Sequence, residues 1–168
     1  GAAMPAMEKI ASFTVDHLTL EPGVYVSRVD RDEATGCTVT TFDLRMTAPN
    51  REPVMNTAEA HTIEHLGATF LRNHPQWASR VVYFGPMGCR TGFYLVVFGK
   101  VTSREILPLV TALFEFVEGF EGEIPGERNA VTTWIRTCPW QSGWQRATWI
   151  RPCAWRMTRI FPTAATAR

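Results

Sequence analysis

The chain has 168 residues and a mass of 18.9 kDa, enough for one domain or for one domain with an appendage. Hydrophobic residues make up 45% of it, charged residues 20%, and the formal net charge is +1, as in an ordinary soluble globular protein. Because no run of about eighteen apolar residues occurs, the sequence excludes a membrane span.

The start of the chain and its cysteines indicate the compartment. Gly1 cannot be a translation start, so residues 1–6 are interpreted as an expression scar or a mis-called start, and no apolar stretch of a signal peptide follows. The four cysteines lie 52, 49 and 15 residues apart, which does not indicate a disulfide framework. We expect a cytoplasmic, reduced protein.

The composition of the chain changes near residue 128. All 16 acidic residues lie at or before Glu127, which gives the first part a net charge of −6. From Arg128 onwards there are seven Arg, no Lys and no acidic residue, and five of the six Trp also lie in this tail.

Three explanations for residues 129–168 are open. The tail can be a nucleic-acid-binding segment with Arg on phosphates and Trp stacked on bases, or an amphipathic membrane-surface anchor. Its Trp spacing keeps no helical face, and Pro139, Pro152 and Pro162 interrupt any long helix. The third explanation is a gene read in the wrong frame, which typically gives Arg, Trp, Pro, Thr and Cys in excess.

Alternating β-branched residues and helical periodicity predict six elements before residue 128. Strands are expected at 23–29, 37–46, 80–84 and 91–101. One helix, capped by Asn56 or Thr57, runs to about Asn73, and a second, capped by Ser103, runs to about Glu118. The order ββαββα predicts an α+β fold, with an antiparallel sheet and helices packed on one face.

The strongest local motif is His61-Thr-Ile-Glu64-His65 within the first predicted helix. Histidines at i and i+4 point the same way, so their imidazoles can meet on one metal ion. Glu64 can then act as general acid or base beside that ion. The simpler interpretation, two surface histidines on an amphipathic helix, remains open.

A second motif is the turn Gly85-Pro-Met-Gly-Cys89-Arg90 between two predicted strands. A cysteine in such a turn is expected to be exposed, and Arg90 can favour its thiolate, which suits a nucleophile or an acid–base group. An incidental turn cysteine is the alternative. A catalytic metal normally has three protein ligands, and Cys89, His17, His74 or a carboxylate are all possible as the third.

These motifs together resemble S-ribosylhomocysteine lyase, the enzyme that makes the precursor of the autoinducer-2 quorum-sensing signal. The matching stretches occur in family order and cover nearly all of residues 7–126. They are Ser12-Phe-Thr-Val-Asp-His17, Phe42-Asp-Leu-Arg45 with Pro49-Asn50, His61-Thr-Ile-Glu64-His65-Leu, and Gly85-Pro-Met-Gly-Cys89-Arg-Thr-Gly-Phe-Tyr94.

The resemblance implies a function and a set of roles. His61 and His65 would bind one divalent metal per subunit, natively Fe²⁺, with Zn²⁺ or Co²⁺ also possible, and Glu64 and Cys89 would transfer protons. Substrate contacts are expected from Ser12, His17, Arg45 and Arg90. The family fold is α+β and homodimeric, with active sites at the subunit interface, and we expect no membrane or nucleic-acid partner.

The implied reaction suits these residue types. A metal ion can polarise the carbonyl oxygen of the sugar, and acid–base groups beside it can move protons between adjacent carbons. The carbonyl then migrates along the ribose until elimination of the thioether releases homocysteine and leaves 4,5-dihydroxy-2,3-pentanedione.

This chain departs from the family pattern at two places. Many members carry Asp and Ser where this chain has Tyr83 and Gly85, which affects expected substrate contacts. The family's third metal ligand is a Cys in a Glu-Cys-Gly-Asn-Tyr stretch just after the loop that Ile124-Pro-Gly126 matches. Here the chain has no Cys at that place. Two histidines alone hold a divalent metal weakly, so we expect the chain as written to be inactive.

The genetic code connects this loss to the wrong-frame explanation. When the codons of residues 128–135 are read one base upstream, they permit Glu-Cys-Gly-Asn-Tyr-Leu-Asp, the missing family motif. We therefore interpret residues 7–128 as the lyase-like domain and residues 129–168 as an out-of-frame tail. The alternatives are an inverted His-x-x-Glu-His zinc metallopeptidase with Glu115, Glu118 or Glu121 as a further ligand, and a nucleic-acid-binding module that uses the tail.

Overall fold

In the part of the chain that the structure describes, six helices and strands follow one another in the order that the sequence predicts. The computed structural model describes residues 19–122 and residue 124. The elements are β1 (Gly23–Arg31), β2 (Thr38–Arg45), α1 (Thr57–Arg72), β3 (Val81–Pro86), β4 (Gly92–Phe98) and α2 (Ser103–Gly119). Each predicted strand is present, with ends that differ from the expected ones by up to three residues.

A tight turn joins β1 to β2 as an antiparallel hairpin. The Asp32 backbone carbonyl accepts from the Gly36 N–H at 2.7 Å, and the Asp32 carboxylate accepts from the Ala34 and Thr35 N–H groups at 3.2 Å. An aspartate that bonds to the backbone ahead of it stabilises such a turn. The two strands therefore form a hairpin.

The sheet places the last strand between two earlier ones. Its order is β1-β2-β4-β3, and each neighbouring pair is antiparallel. In the register, Arg45 at the end of β2 lies opposite Gly23 of β1 and Gly92 of β4. This pairing brings the end of β2 beside the turn that precedes β4.

Both helices lie against one face of the sheet. Alternate residues of the two central strands are fully buried in the same cluster as apolar side chains of the helices. The cluster includes Phe42, Leu44, Phe93, Leu95, Val97, Ile63, Leu66, Ile106, Val110 and Phe114. An α+β fold with an antiparallel sheet is thus confirmed.

The opposite face of the sheet, here called the outer face, carries aromatic and apolar side chains. Tyr94, Val96 and Phe98 alternate with the buried residues of β4, so they point away from the core. Tyr83 pairs with Val96, and Tyr25 lies in the same row of the sheet as Tyr94. Tyr25, Tyr83 and Phe98 are among the large apolar side chains that remain exposed.

The predicted cap of the second helix was wrong by one residue. Thr102, and not Ser103, is the N-cap of α2: its hydroxyl accepts from the Glu105 N–H, and the Glu105 carboxylate accepts from the Thr102 N–H. Asn56 caps α1 in the same reciprocal way with Glu59, as predicted. Across the described part of the chain, no helix has the length and apolarity that crossing a membrane requires.

Candidate active site

Helix α1 presents the two histidines of the motif side by side. The ring centroids of His61 and His65 lie 4.4 Å apart, with an angle of 23° between the ring planes, because residues i and i+4 share a helix face. The Nε2 atom of His61 is buried and has no hydrogen-bond partner. A buried polar nitrogen without a partner is costly unless something else satisfies it. The pair is therefore suited to bind a group that accepts the lone pairs of imidazole nitrogens, such as a metal ion.

The turn between β3 and β4 holds Cys89 at the surface of the domain. The Met87 N–H donates to the Gly92 carbonyl at 2.9 Å, and the Arg90 N–H donates to the Met87 carbonyl at 2.8 Å, which closes the turn. Arg90 has a positive φ of 59°. This left-handed conformation is uncommon for a residue with a side chain and reverses the chain directly after Cys89.

The side chain of Arg45 connects β2 to this turn. It is 3% exposed, and its Nε and Nη2 atoms donate to the two carboxylate oxygens of Asp43. Its Nη1 atom donates to the Thr91 hydroxyl at 2.5 Å and faces the Cys89 sulfur at 3.7 Å. The Thr91 hydroxyl in turn lies 3.0 Å from that sulfur.

These contacts change the acidity of the Cys89 thiol. Partial burial raises its pKa, but hydrogen bonds from the Thr91 hydroxyl and backbone N–H and the charge and hydrogen bond of Arg45 outweigh burial, so the pKa lies below its usual value. A lowered thiol pKa is typical of cysteines that act as nucleophiles or acid–base groups. The turn therefore favours a thiolate at Cys89.

Backbone hydrogen bonds bring the site segments together. The Met46 and Thr47 N–H groups donate to the Thr91 carbonyl at 2.9 and 3.1 Å, which fixes the end of β2 to the turn. The Met55 N–H, just before α1, donates to the Arg90 carbonyl at 3.0 Å. Helix α1 thus begins beside the Cys89 turn, and its histidines follow in the second and third helical turns.

Comparisons with known proteins identify the family. The family described as S-Ribosylhomocysteinase (LuxS) matches residues 10–141. The chain belongs to the S-ribosylhomocysteinase family. The predicted family and the predicted enzyme class, a carbon–sulfur lyase, are therefore confirmed.

Several curated relatives carry the name S-ribosylhomocysteine lyase. The protein of Clostridium acetobutylicum is 66% identical over 120 residues, which are 71% of this chain and 75% of that protein. The proteins of Clostridium beijerinckii and Desulfotalea psychrophila are 63% and 58% identical over 120 and 121 residues, which are 71% and 72% of this chain and 74% and 75% of those proteins.

Not every predicted site residue of the family lies in the described structure. Ser12 and His17 fall outside the described residues, as does the tail. Arg90 is exposed next to Cys89, and Glu64 is half-buried on α1 between the two histidines. Their roles stay predictions.

The metal site predicted from the sequence is incomplete in the described structure. Among residues 19–122 and 124, no group of three or more His, Cys, Asp or Glu side chains is placed to hold a metal ion. Cys89 and His74 therefore do not complete a set with His61 and His65, and no glutamate of α2 does so. The two imidazoles fit part of a metal's ligand set, and the described residues place no third protein ligand beside them.

Two residues of the site were not singled out from the sequence. Asp43 lies two positions before Arg45 on a predicted strand, so the two share a face and oppositely charged side chains can pair. The spacing of Asp43 and Arg45 could therefore have indicated their ion pair from the sequence alone. Thr91 gave no such indication, because only the fold brings its hydroxyl to both Arg45 and Cys89.

Proposed function

We propose that this domain cleaves S-ribosylhomocysteine to homocysteine and 4,5-dihydroxy-2,3-pentanedione, the autoinducer-2 precursor. The family match over residues 10–141 is the observation that carries this proposal. The net chemistry moves a carbonyl group along the ribose and then breaks the carbon–sulfur bond. Protons move at each step, and no oxidant or reductant is consumed.

The proposal includes a divalent metal at His61 and His65, natively Fe²⁺, with Zn²⁺ or Co²⁺ able to replace it. It is supported by the stacked imidazoles and by the buried Nε2 atom of His61 that lacks a partner. A neutral imidazole nitrogen is a common ligand for these metals. When bound, the ion would serve as a Lewis acid toward the carbonyl oxygen of the substrate.

Cys89 and Glu64 carry the proton transfers in this proposal. The Cys89 thiolate removes a proton from the carbon beside the carbonyl and delivers it to the neighbouring carbon, which shifts the carbonyl by one position. Glu64 moves protons to and from the oxygens. In the last step, removal of a proton α to the carbonyl expels the homocysteine sulfur, which leaves with the bonding electron pair and is protonated. Arg90, Arg45, Ser12 and His17 are the proposed substrate contacts.

We further propose that residues 129–168 are encoded out of frame and that the family's third ligand lies in the other frame. The proposal is supported by the absence of a Cys from the sequence just after Gly126 and by the codons that permit Glu-Cys-Gly-Asn-Tyr-Leu-Asp. Two imidazoles alone bind a divalent metal weakly. The chain as written is therefore expected to turn over no substrate.

We also propose that the chain forms a homodimer. The outer face of the sheet leaves Tyr25, Tyr83 and Phe98 exposed, and exposed apolar side chains that lie together often mark an interaction surface. The outer face also includes Asp43 and Arg45, so a second subunit on it would lie next to the Cys89 turn. This supports active sites at a subunit interface.

The test compares the chain as written with a protein made from the frame-restored gene. Each is loaded anaerobically with Fe²⁺, and homocysteine release from S-ribosylhomocysteine is followed with a thiol reagent. We expect release by the restored protein only, and none by its Cys89→Ser or His61→Ala variants. Metal content after gel filtration should be near one per restored chain and well below one for the chain as written.

Two outcomes would contradict the proposal. A restored protein that binds metal stoichiometrically and releases no homocysteine would refute the reaction. Salt-dependent binding of single-stranded nucleic acid by the chain as written, lost on deletion of residues 129–168, would refute the out-of-frame tail and favour a genuine basic segment.

A further inference from the structure

Thr91 occupies a buried position between a cation and the cysteine sulfur. Its side chain is 3% exposed, and its hydroxyl lies 2.5 Å from Nη1 of Arg45 and 3.0 Å from Sγ of Cys89. Neither the family motifs nor the sequence analysis gives this residue a role.

The donors and acceptors fix the direction of these hydrogen bonds. A guanidinium has only donors, so the Thr91 oxygen accepts from Arg45. A hydroxyl has a single proton, and that proton is then available for the sulfur. The chain of bonds therefore runs from Arg45 through the Thr91 hydroxyl to Sγ of Cys89, and each bond polarises the next.

Asp43 orients the other end of this chain. Its carboxylate accepts from Nε and Nη2 of Arg45, which leaves the Nη1 hydrogens for Thr91 and for the sulfur. Of the charged groups in the described part of the chain, Arg45 contacts the thiol directly and Asp43 acts through Arg45. Arg90 is the charged neighbour of Cys89 along the chain.

We propose that Thr91 is a positioning residue for proton transfer by Cys89: its hydroxyl, held by Arg45, donates to the Cys89 sulfur and stabilises the thiolate. The inference rests on the proposed function, because it concerns the group that moves protons in that reaction. The hydroxyl also fixes the direction of the sulfur, since a donor 3.0 Å away restrains the Cys89 rotamer.

The experiment measures the thiolate without any turnover. The metal-free full-length chain is alkylated with iodoacetamide at a series of pH values, and modification of Cys89 is read by mass spectrometry. Trypsin cuts after Arg80 and Arg90, so Cys89 is the one cysteine of its peptide, and a change at residue 91 leaves that peptide intact. The wild-type midpoint is expected to lie below that of a free cysteine, about 8.5.

Thr91→Val keeps the shape of the side chain and removes the hydroxyl. Its midpoint is expected to rise by about one unit, because the thiolate loses a hydrogen-bond donor. Thr91→Ser restores the hydroxyl and should titrate like the wild type. Thr111→Val, at another buried threonine on α2, is the matched control and should leave the midpoint unchanged.

A folded Thr91→Val protein with the wild-type midpoint would overturn the inference, as would a Thr91→Ser protein that titrates like Thr91→Val. If thermal melting shows that the valine variant does not fold, Thr91→Ala takes its place with the same expected rise. Because the readout needs neither metal nor substrate, it is independent of whether the frame-restored protein releases homocysteine. Failure of the lyase assay and failure of this inference are thus seen separately.

Discussion

The charge of Arg45 is buried in the structure and is paired with the carboxylate of Asp43. Asp43→Asn keeps the shape of the partner but removes its charge, which leaves a guanidinium that is 3% exposed without its carboxylate partner. We expect a loss of about 3 kcal/mol in the free energy of unfolding, measured by urea denaturation. The control is Asp30→Asn, whose pair with Arg28 is exposed, and its expected cost is a few tenths of a kcal/mol at most, about the median for surface pairs. Equal effects of the two substitutions would contradict a special role for the buried pair.

Gly92 allows close approach of β4 to β2. A Cβ atom at residue 92 would lie 2.3 Å from the Leu44 carbonyl oxygen, a backbone atom that cannot rotate away. Gly92→Ala is therefore expected to cost about 1–3 kcal/mol of stability, the range for overpacked sites. Gly88→Ala, in the turn before β4, is the control, because a Cβ atom there would meet nothing within 4 Å. Thermal melts of both variants check the prediction, which is wrong if Gly92→Ala melts like the wild type.

At the residue scale the sequence predicted what depends on local spacing. The neighbouring imidazoles of His61 and His65 follow from an interval of four residues on a helix. The exposed position of Cys89 follows from its Gly-rich turn. The contact of Thr91 with Arg45 was not predictable, because the two are 46 residues apart in the chain and meet only through the pairing of β2 with β4.

At the scale of the elements, the N-cap of α2 can be tested by substitution. Thr102 accepts from the Glu105 N–H and has an extended backbone, with φ −86° and ψ 161°, as an N-cap requires. Thr102→Ala is expected to cost about 1 kcal/mol in the free energy of unfolding, by denaturant titration. Ser103→Ala changes a hydroxyl that lies one residue inside the helix and should cost much less. A larger loss for Ser103→Ala than for Thr102→Ala would indicate that Ser103 is the N-cap.

Thr102 and Ser103 also show which features of the elements can be predicted from the sequence. Two adjacent hydroxyl residues both qualify as caps, and the choice depends on which one places Glu105 three residues further on. Periodicity and β-branched residues predicted all six elements and their order. The sheet order β1-β2-β4-β3 was not predicted, because strand pairing is set by contacts between distant segments, such as Thr41 with Val96.

For the whole molecule, the outer face of the sheet predicts the oligomeric state. Phe98 is 44% exposed there, beside Val96 of the same strand. If two subunits meet on this face, Phe98→Asp buries a charge in the contact and is expected to shift sedimentation from a two-chain to a one-chain particle. Val54→Asp, at an equally exposed residue outside the sheet, should leave the two-chain particle intact. A two-chain particle in both variants would place the contact elsewhere.

Within residues 19–122 and 124, the six helices and strands end by residue 119, and the buried cluster is built from residues 42–117. Synthesis runs from the N-terminus, and domains generally fold as units during it. A ribosome that reaches the codons after residue 128 has therefore already made every residue of this cluster, whichever frame it reads next. Selection that acts only on the packing of this cluster would not remove a gene with changed codons there. Selection for the reaction would remove it.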